Sequence, residues 1–267
     1  MQEPDMSHLT HTIEHGIATI ILDRSPQNRI GDQMVDELAA AINAIERSEA
    51  RVVLVRAEGE NFSFGGDIMP WPDDTSRQLR ARFEGYMDVF NRFERLPLPV
   101  IAVVHGLCAG GGLELALRAD VIFAAKSATF CQPEQSLALV TLLGGIYRIA
   151  ERAGRARAME WALTSERVPA ATMERFGVIN RVVADAELLA EAHAFAAKFV
   201  HGPTRAHAAH KALLRAWANG GVQAADDVMF NIAMPLFETE DVKDGLASAI
   251  KALKAGTPRS VLEFKGR

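Results

Sequence analysis

Apolar positions recur at two different spacings along the first two-thirds of the chain. Residues 9–13 and 17–22 are short apolar-rich runs joined by Glu14-His15-Gly16, which predicts two strands and a tight turn. After the turn-rich Ser25-Pro26-Gln27-Asn28, Asp32 is the expected N-cap of a helix on which Met34, Val35, Leu38, Ile42 and Ile45 share one face. A third strand is expected over residues 51–57, where 52–55 is continuously apolar, the pattern of a strand buried on both faces. Leu79, Phe83, Met87, Phe90 and Phe93 step by four or three along the next helix and read as a core stripe. Residues 99–104 and 121–124 predict two more buried strands. From about Pro203 the strands stop, and residues 206–217, 222–237 and 242–253 all carry helical spacing. The pattern predicts an α/β core followed by a helical appendage.

Composition narrows the class. With 49% hydrophobic residues, 24% charged and 20 glycines in 267 residues, the chain has the balance of a globular protein and not of a disordered or collagen-like one. Lys and Arg total 29 against 34 Asp and Glu, a formal charge of -5, so bulk electrostatics gives no pull towards nucleic acid or an anionic membrane. The longest stretch without a charge, residues 96–113, contains Pro97, Pro99, His105 and four glycines, and reads as a buried strand and turn, not a membrane span. Cys108 and Cys131 are too few for a disulfide framework and fit free thiols. The first ten residues lack a basic region followed by an apolar stretch, so a cytoplasmic location is expected.

Two glycine-rich turns carry the candidate chemistry. Asn61-Phe62-Ser63-Phe64-Gly65-Gly66-Asp67-Ile68 and His105-Gly106-Leu107-Cys108-Ala109-Gly110-Gly111-Gly112-Leu113-Glu114 each follow a predicted buried strand. Glycine there lets backbone approach a ligand with no Cβ in the way. The second turn is expected to open a helix over residues 113–118, whose free N–H groups would favour negative charge, the physical specification of an oxyanion hole. Other motifs fail. The glycine spacing is not GxGxxG, there is no GxxxxGK[ST] and no GxSxG, and the eight histidines include no HExxH, so no metal site is expected.

The two turns, with Ala119-Asp120 after the second, resemble the signature segments of the crotonase superfamily, the enoyl-CoA hydratases and isomerases. Ala128-Thr129-Phe130-Cys131-Gln132-Pro133-Glu134 is similar to the family's F-x-x-P-E stretch. Further matches are Arg24-Ser25-Pro26-Gln27-Asn28, the strand at 97–104, and the later segments 158–163, 170–171 and 177–182, so the likeness spans almost the whole chain in order.

The resemblance implies a crotonase-like spiral of ββα units over residues 1–202 and a helical region over 203–267 used for assembly into a homotrimer or hexamer. It implies an acyl-CoA thioester whose carbonyl oxygen lies between the N–H groups of Gly66 and Gly111, and Glu114 and Glu134 as an acid/base pair that adds water across the α,β-double bond. Coenzyme A enters as part of the substrate, and no other cofactor is expected. Gln27, Asn28, Phe64, Asp67, Ile68, Trp71 and Leu142 are the expected substrate contacts. Many family members show small glycines and a Pro-Gly after the second glutamate; this chain reads Gln135 to Gly145 there, with Thr141 and Leu142 inside it, and only Gly144 and Gly145 agree. Alternatives are a one-base double-bond isomerase, a thioester hydrolase or decarboxylase, and a non-catalytic acyl-CoA- or RNA-binding protein; the net charge speaks against RNA.

Overall fold

The computed structural model describes residues 7–266; the first six residues, part of the stretch on which the N-terminal reading rests, lie outside the described residues. A six-stranded sheet is built from β1 (Leu9–Glu14), β2 (Ile17–Leu22), β3 (Val52–Ala57) and β4 (Val100–Val104), with β6 (Val121–Ala125) and β9 (Arg181–Val183) completing the order β1-β2-β3-β4-β6-β9. Only the β1–β2 pair is antiparallel. A second sheet has three short strands, β5 (Leu107–Ala109), β7 (Thr129–Cys131) and β8 (Val168–Pro169), in the order β5-β7-β8. The helices are α1 (Asp32–Glu46), α2 (Ser76–Glu94), α3 (Gly110–Ala116), α4 (Gly145–Ala153), α5 (Arg155–Thr164), α6 (Ala170–Arg175), α7 (Leu188–Val200), α8 (Thr204–Ala233) and α9 (Glu240–Ala255).

Burial explains the strand sequences. In β4 all five residues, Val-Ile-Ala-Val-Val, are buried, because the strand has a neighbour on each side and packing on both faces. The edge strand β1 instead exposes Thr10, His11 and Thr12, which keeps its open edge polar. Met34, Val35, Leu38, Ile42 and Ile45 of α1 enter the same core as Phe90 and Phe93 of α2. The start of α1 differs from the expectation: Gly31 occupies the N-cap in an extended conformation, and Asp32 stands inside the first turn. There its Oδ1 accepts from the Tyr86 hydroxyl at 2.6 Å, a tertiary contact that draws the carboxylate away from a capping role. Helix α2 opens with a reciprocal capping box between Thr75 and Gln78.

The helical region is tied to the core by a few polar contacts. Lys211 of α8 donates to Asp120 at 2.7 Å and to the Leu98 carbonyl at 2.9 Å, and Arg51 donates to the carbonyls of Gly202 and Lys265 at 2.6 and 2.7 Å. Helix α8 is broken at Gly220 and Gly221, the latter with φ at 73°, so the two predicted helices meet end to end at that break.

The turn between β4 and β5 has no room for a side chain. Gly106 has φ of +57°, and a Cβ there would lie 2.0 Å from the Glu60 carbonyl oxygen. Gly85, on α2, faces open space. Gly106→Ala is therefore expected to cost about 3 kcal/mol or more in urea unfolding, from overpacking and backbone strain together. Gly85→Ala is expected to gain about 0.5–1 kcal/mol. Equal midpoints for the two variants would contradict this account.

Candidate active site

The two glycine turns meet edge to edge. Ser63 forms a parallel bridge with Cys108, and Gly66 forms one with Ile30. In that second bridge Ile30 N–H donates to the Gly65 carbonyl at 2.9 Å and Asp67 N–H to the Ile30 carbonyl at 2.8 Å, a register that passes over the N–H of Gly66. Gly111 is the second residue of α3, so its N–H has no acceptor within the helix. The helix starts at Gly110, three residues earlier than expected, which makes the glycine triplet itself the first turn.

Close approach of these backbones requires the glycines. A Cβ on Gly65, where φ is +99°, would lie 3.2 Å from the Gly111 nitrogen, and one on Gly112 would lie 2.4 Å from the Ser63 Cβ. A Cβ on Gly111 would come within 3.5 Å of the Gly66 nitrogen. Gly66 and Gly111, neither of whose N–H groups meets a protein acceptor among the described residues, both line a cavity of about 260 Å³.

Two carboxylates share that cavity. Glu114, on α3, is 4% exposed. Its Oε1 accepts from the Leu143 N–H at 2.8 Å, the Gly145 N–H at 3.0 Å and the Thr141 hydroxyl. Glu134 opens a single 3-10 turn behind Pro133, with its Oε1 close to Gly110. Burial pushes its carboxyl up to about 7; the Glu114 charge adds to that shift, and a backbone hydrogen bond opposes it. One carboxylate is anchored by donors and the other is desolvated and nearly bare.

A buried arginine backs the pair. Arg118 donates to Glu94 and Asn91, each at 2.8 Å, and to the Leu143 carbonyl at 2.9 Å, with Arg148 bound to the same Glu94 through two hydrogen bonds. The Leu143 backbone is therefore held at both of its polar atoms, its oxygen by Arg118 and its nitrogen by Glu114.

The remaining walls are mostly apolar, with Arg29 and Ser136 also in them. Phe64, Ile68, Trp71 and Leu142 face the cavity together with Ile30, Phe83, Tyr86, Leu137, Leu139 and Leu143. Trp71 meets Phe83 edge to face at 5.2 Å, and Phe83 meets Tyr86 likewise at 6.1 Å. Phe83 belongs to the stripe read as core; the helical spacing marks it as inward-facing but does not distinguish a packed wall from a cavity wall. Tyr86 and Arg29 also line the space and were not anticipated.

Three expected contacts stand elsewhere. Asn28 is fully buried, with φ at 46°. Its side chain accepts from Arg24 N–H and donates to the carbonyls of Glu58 and Asn61, and its own carbonyl accepts from the Ser63 hydroxyl. Every polar group of Asn28 meets backbone or the Ser63 hydroxyl, and these bonds clip the first glycine turn in place. Gln27 is outside the cavity wall and accepts from Arg29 Nε at 2.6 Å. Asp67, also outside it, pairs with Arg24 at 2.7 Å; burial works against its charged form, but Arg24 outweighs that and holds the carboxyl below its ordinary value. Among the described residues no cluster of three or more His, Cys, Asp or Glu could hold a metal ion.

The description of the enoyl-CoA hydratase/isomerase family matches residues 12–254. The chain belongs to that family, within the crotonase superfamily. A probable enoyl-CoA hydratase of Rhizobium meliloti is 34% identical over 98% of this chain and 100% of its own. A carnitinyl-CoA dehydratase of Escherichia coli is 33% identical over 92% of this chain and 97% of its own. The solved structure of an enoyl-CoA hydratase subunit from Geobacillus kaustophilus superposes with a TM-score of 0.89 at 28% identity, covering 99% of this chain and 100% of that one. The spiral fold, membership among crotonase-superfamily enzymes, and acyl-CoA thioesters as substrate class follow from these matches. No helix among the described residues is long and apolar enough to cross a membrane.

The crotonase-fold site makes a stability prediction. With its folded value near 7 against an ordinary 4.5, Glu134 binds more proton in the folded than in the unfolded chain between those values. Its contribution to stability therefore falls as pH rises through that window and levels off above it. Relative to wild type, Glu134→Gln is expected to gain roughly 1–3 kcal/mol between pH 4 and pH 8 in urea titrations. Parallel stability curves for the two proteins would contradict the assigned shift.

Proposed function

We propose that this chain catalyses the reversible addition of water to the α,β-double bond of a 2-enoyl-CoA. The observation that carries the reading is the meeting, in one apolar cavity, of the N–H groups of Gly66 and Gly111 with two glutamates in contrasting surroundings. The thioester oxygen accepts from Gly66 and Gly111, whose donors stabilise the charge that develops as the β-carbon is attacked; each such donor is worth roughly 10²–10³ in rate. Glu114 holds the water through Oε2 and draws off a proton as the oxygen bonds to the β-carbon. Glu134, whose carboxyl sits near neutrality, delivers a proton to the α-carbon. Return of the water's proton through the carboxylate pair to Glu134 completes a net addition of one water. The reverse direction dehydrates a 3-hydroxyacyl-CoA, the type of chemistry named for the Escherichia coli relative.

The apolar and aromatic side chains of the wall suit an apolar acyl group, with Arg29 the one cationic lining residue among the described residues. Coenzyme A is part of the substrate, and the chemistry needs no further cofactor, because the thioester itself acidifies the α-carbon.

Residues 203–267 serve assembly in the same reading. Leu214, Val222 and Phe230 on α8 are 68%, 68% and 69% exposed, an apolar set that neighbouring copies would cover in a homotrimer or hexamer. Light scattering of the purified chain is expected to give three or six times the 29.1 kDa subunit mass; a monomer at micromolar concentration would exclude this part.

The activity is tested with short, medium and aromatic 2-enoyl-CoA thioesters, following loss of the conjugated thioester absorbance. Turnover is expected, with kcat lowered about 10²–10⁴-fold in both Glu114→Gln and Glu134→Gln. Absence of turnover across the panel would refute the hydratase reading. Loss in Glu134→Gln alone would point to one-base isomerisation.

A further inference from the structure

Resting on the reading of Glu114 as the water-holding carboxylate, we infer that Thr141 is a positioning residue that locks Glu114 in place, so that only Oε2 faces the reacting atoms. Thr141 does not line the cavity; its neighbours Leu142 and Leu143 do. Its hydroxyl lies behind the carboxylate and bonds to Glu114 Oε1.

The proton count fixes the direction of that bond. The Thr141 oxygen accepts the Gly145 N–H at 2.7 Å, and Glu114 Oε1 accepts the same N–H at 3.0 Å. With an N–H already directed at its oxygen, the hydroxyl spends its single proton on Glu114. Oε1 then holds three donors: the Thr141 hydroxyl and the N–H groups of Leu143 and Gly145. It has no acceptor capacity left, so a proton that Glu114 takes from water sits on Oε2. Rotation of the carboxylate would break three bonds at once.

The lock depends on local sequence. Thr141 belongs to the segment between Glu134 and Gly144-Gly145, the same loop that supplies the Leu143 and Gly145 amides. A threonine at this position, ahead of Leu142, adds a side-chain donor to the two backbone donors, and Leu142 fills the cavity wall beside it. Arg118 keeps the arrangement from drifting, because it holds the Leu143 carbonyl at 2.9 Å while the Leu143 N–H holds Glu114.

The experiment compares wild type with Thr141→Val, which keeps the shape and removes the donor, and Thr141→Ser, which restores it. The probe is whichever of crotonyl-CoA, 2-decenoyl-CoA and cinnamoyl-CoA the wild type hydrates fastest. Thr141→Val is expected to lower kcat about 10–30-fold with KM within about twofold, and Thr141→Ser to recover to within about threefold of wild type. Equal kcat in wild type and Thr141→Val overturns the inference, and so does a serine variant as slow as the valine one. If Thr141→Val does not fold, Thr141→Ala takes its place with the same expectations. Where wild type hydrates none of the three thioesters, the hydratase reading fails separately. The lock is then judged by crystal structures of wild type and the valine variant. A Glu114 carboxylate swung off the Leu143 and Gly145 amides supports it, and an unmoved carboxylate overturns it.

Discussion

The contact between two glycine-bearing backbones organises everything else in this molecule. At Gly112 a single added carbon would overlap the Ser63 Cβ at 2.4 Å, and at Gly65 it would crowd Ala109, Gly110 and Gly111 from 3.0 to 3.3 Å away. Only bare backbone brings the end of one turn against the start of α3. That contact brings Gly111 close to Gly66, and neither N–H group meets a protein acceptor among the described residues. The strands exist to deliver it: β3 and β4 run parallel in adjacent positions, so the chain leaves both at the same end of the sheet.

The carboxylate pair shows how one cavity sustains two electrostatic characters. Glu114 and Glu134 carry the same functional group and differ in what surrounds it. Three donors converge on one oxygen of Glu114, whereas burial, aided by the Glu114 charge and opposed by a backbone hydrogen bond, drives Glu134 up to about 7. The donors to Glu114 belong to a loop that is itself pinned by Arg118. Burial, with the charge of Arg148, brings that guanidinium down to about 10, still well above neutrality, so it stays charged and keeps its grip on Glu94 and Leu143. The layer behind the site is thus ionic, and the layer in front of it is apolar.

That front layer differs from the back in polarity and draws on two segments. Trp71, Phe83 and Tyr86 form a chain of edge-to-face rings in the wall, to which Leu137, Leu139 and Leu142 also belong. The rings come from α2 and the turn before it, the leucines from the loop after Glu134. The loop that supplies the leucines also supplies the donors to Glu114, whereas the rings stand on a segment that makes none of those bonds.

Much of this was legible in the chain before any coordinates. The long strands β1 to β4 and β6 announce themselves by apolar runs, the helices after Pro203 by spacing, and the superfamily by its two glycine turns and the Phe130 to Glu134 stretch. The short strands β5, β7, β8 and β9 do not, because two or three residues hold too little pattern to separate a strand from a loop. Asn28 shows the same limit at a single residue: a polar turn residue beside a binding segment reads as a ligand contact, and only the packed structure shows its side chain and carbonyl meeting Arg24, Glu58, Asn61 and Ser63. Asp32 reads as a cap from its place before a helix, yet Tyr86, 54 residues away in sequence, claims its carboxylate. What the sequence determined by itself were the local requirements: where backbone needs glycine, where a strand must be buried, and which residues carry carboxylates. What only the tertiary structure decided was how each polar atom is satisfied, because hydrogen-bond partners and desolvation are set by neighbours in space that the order of residues does not reveal.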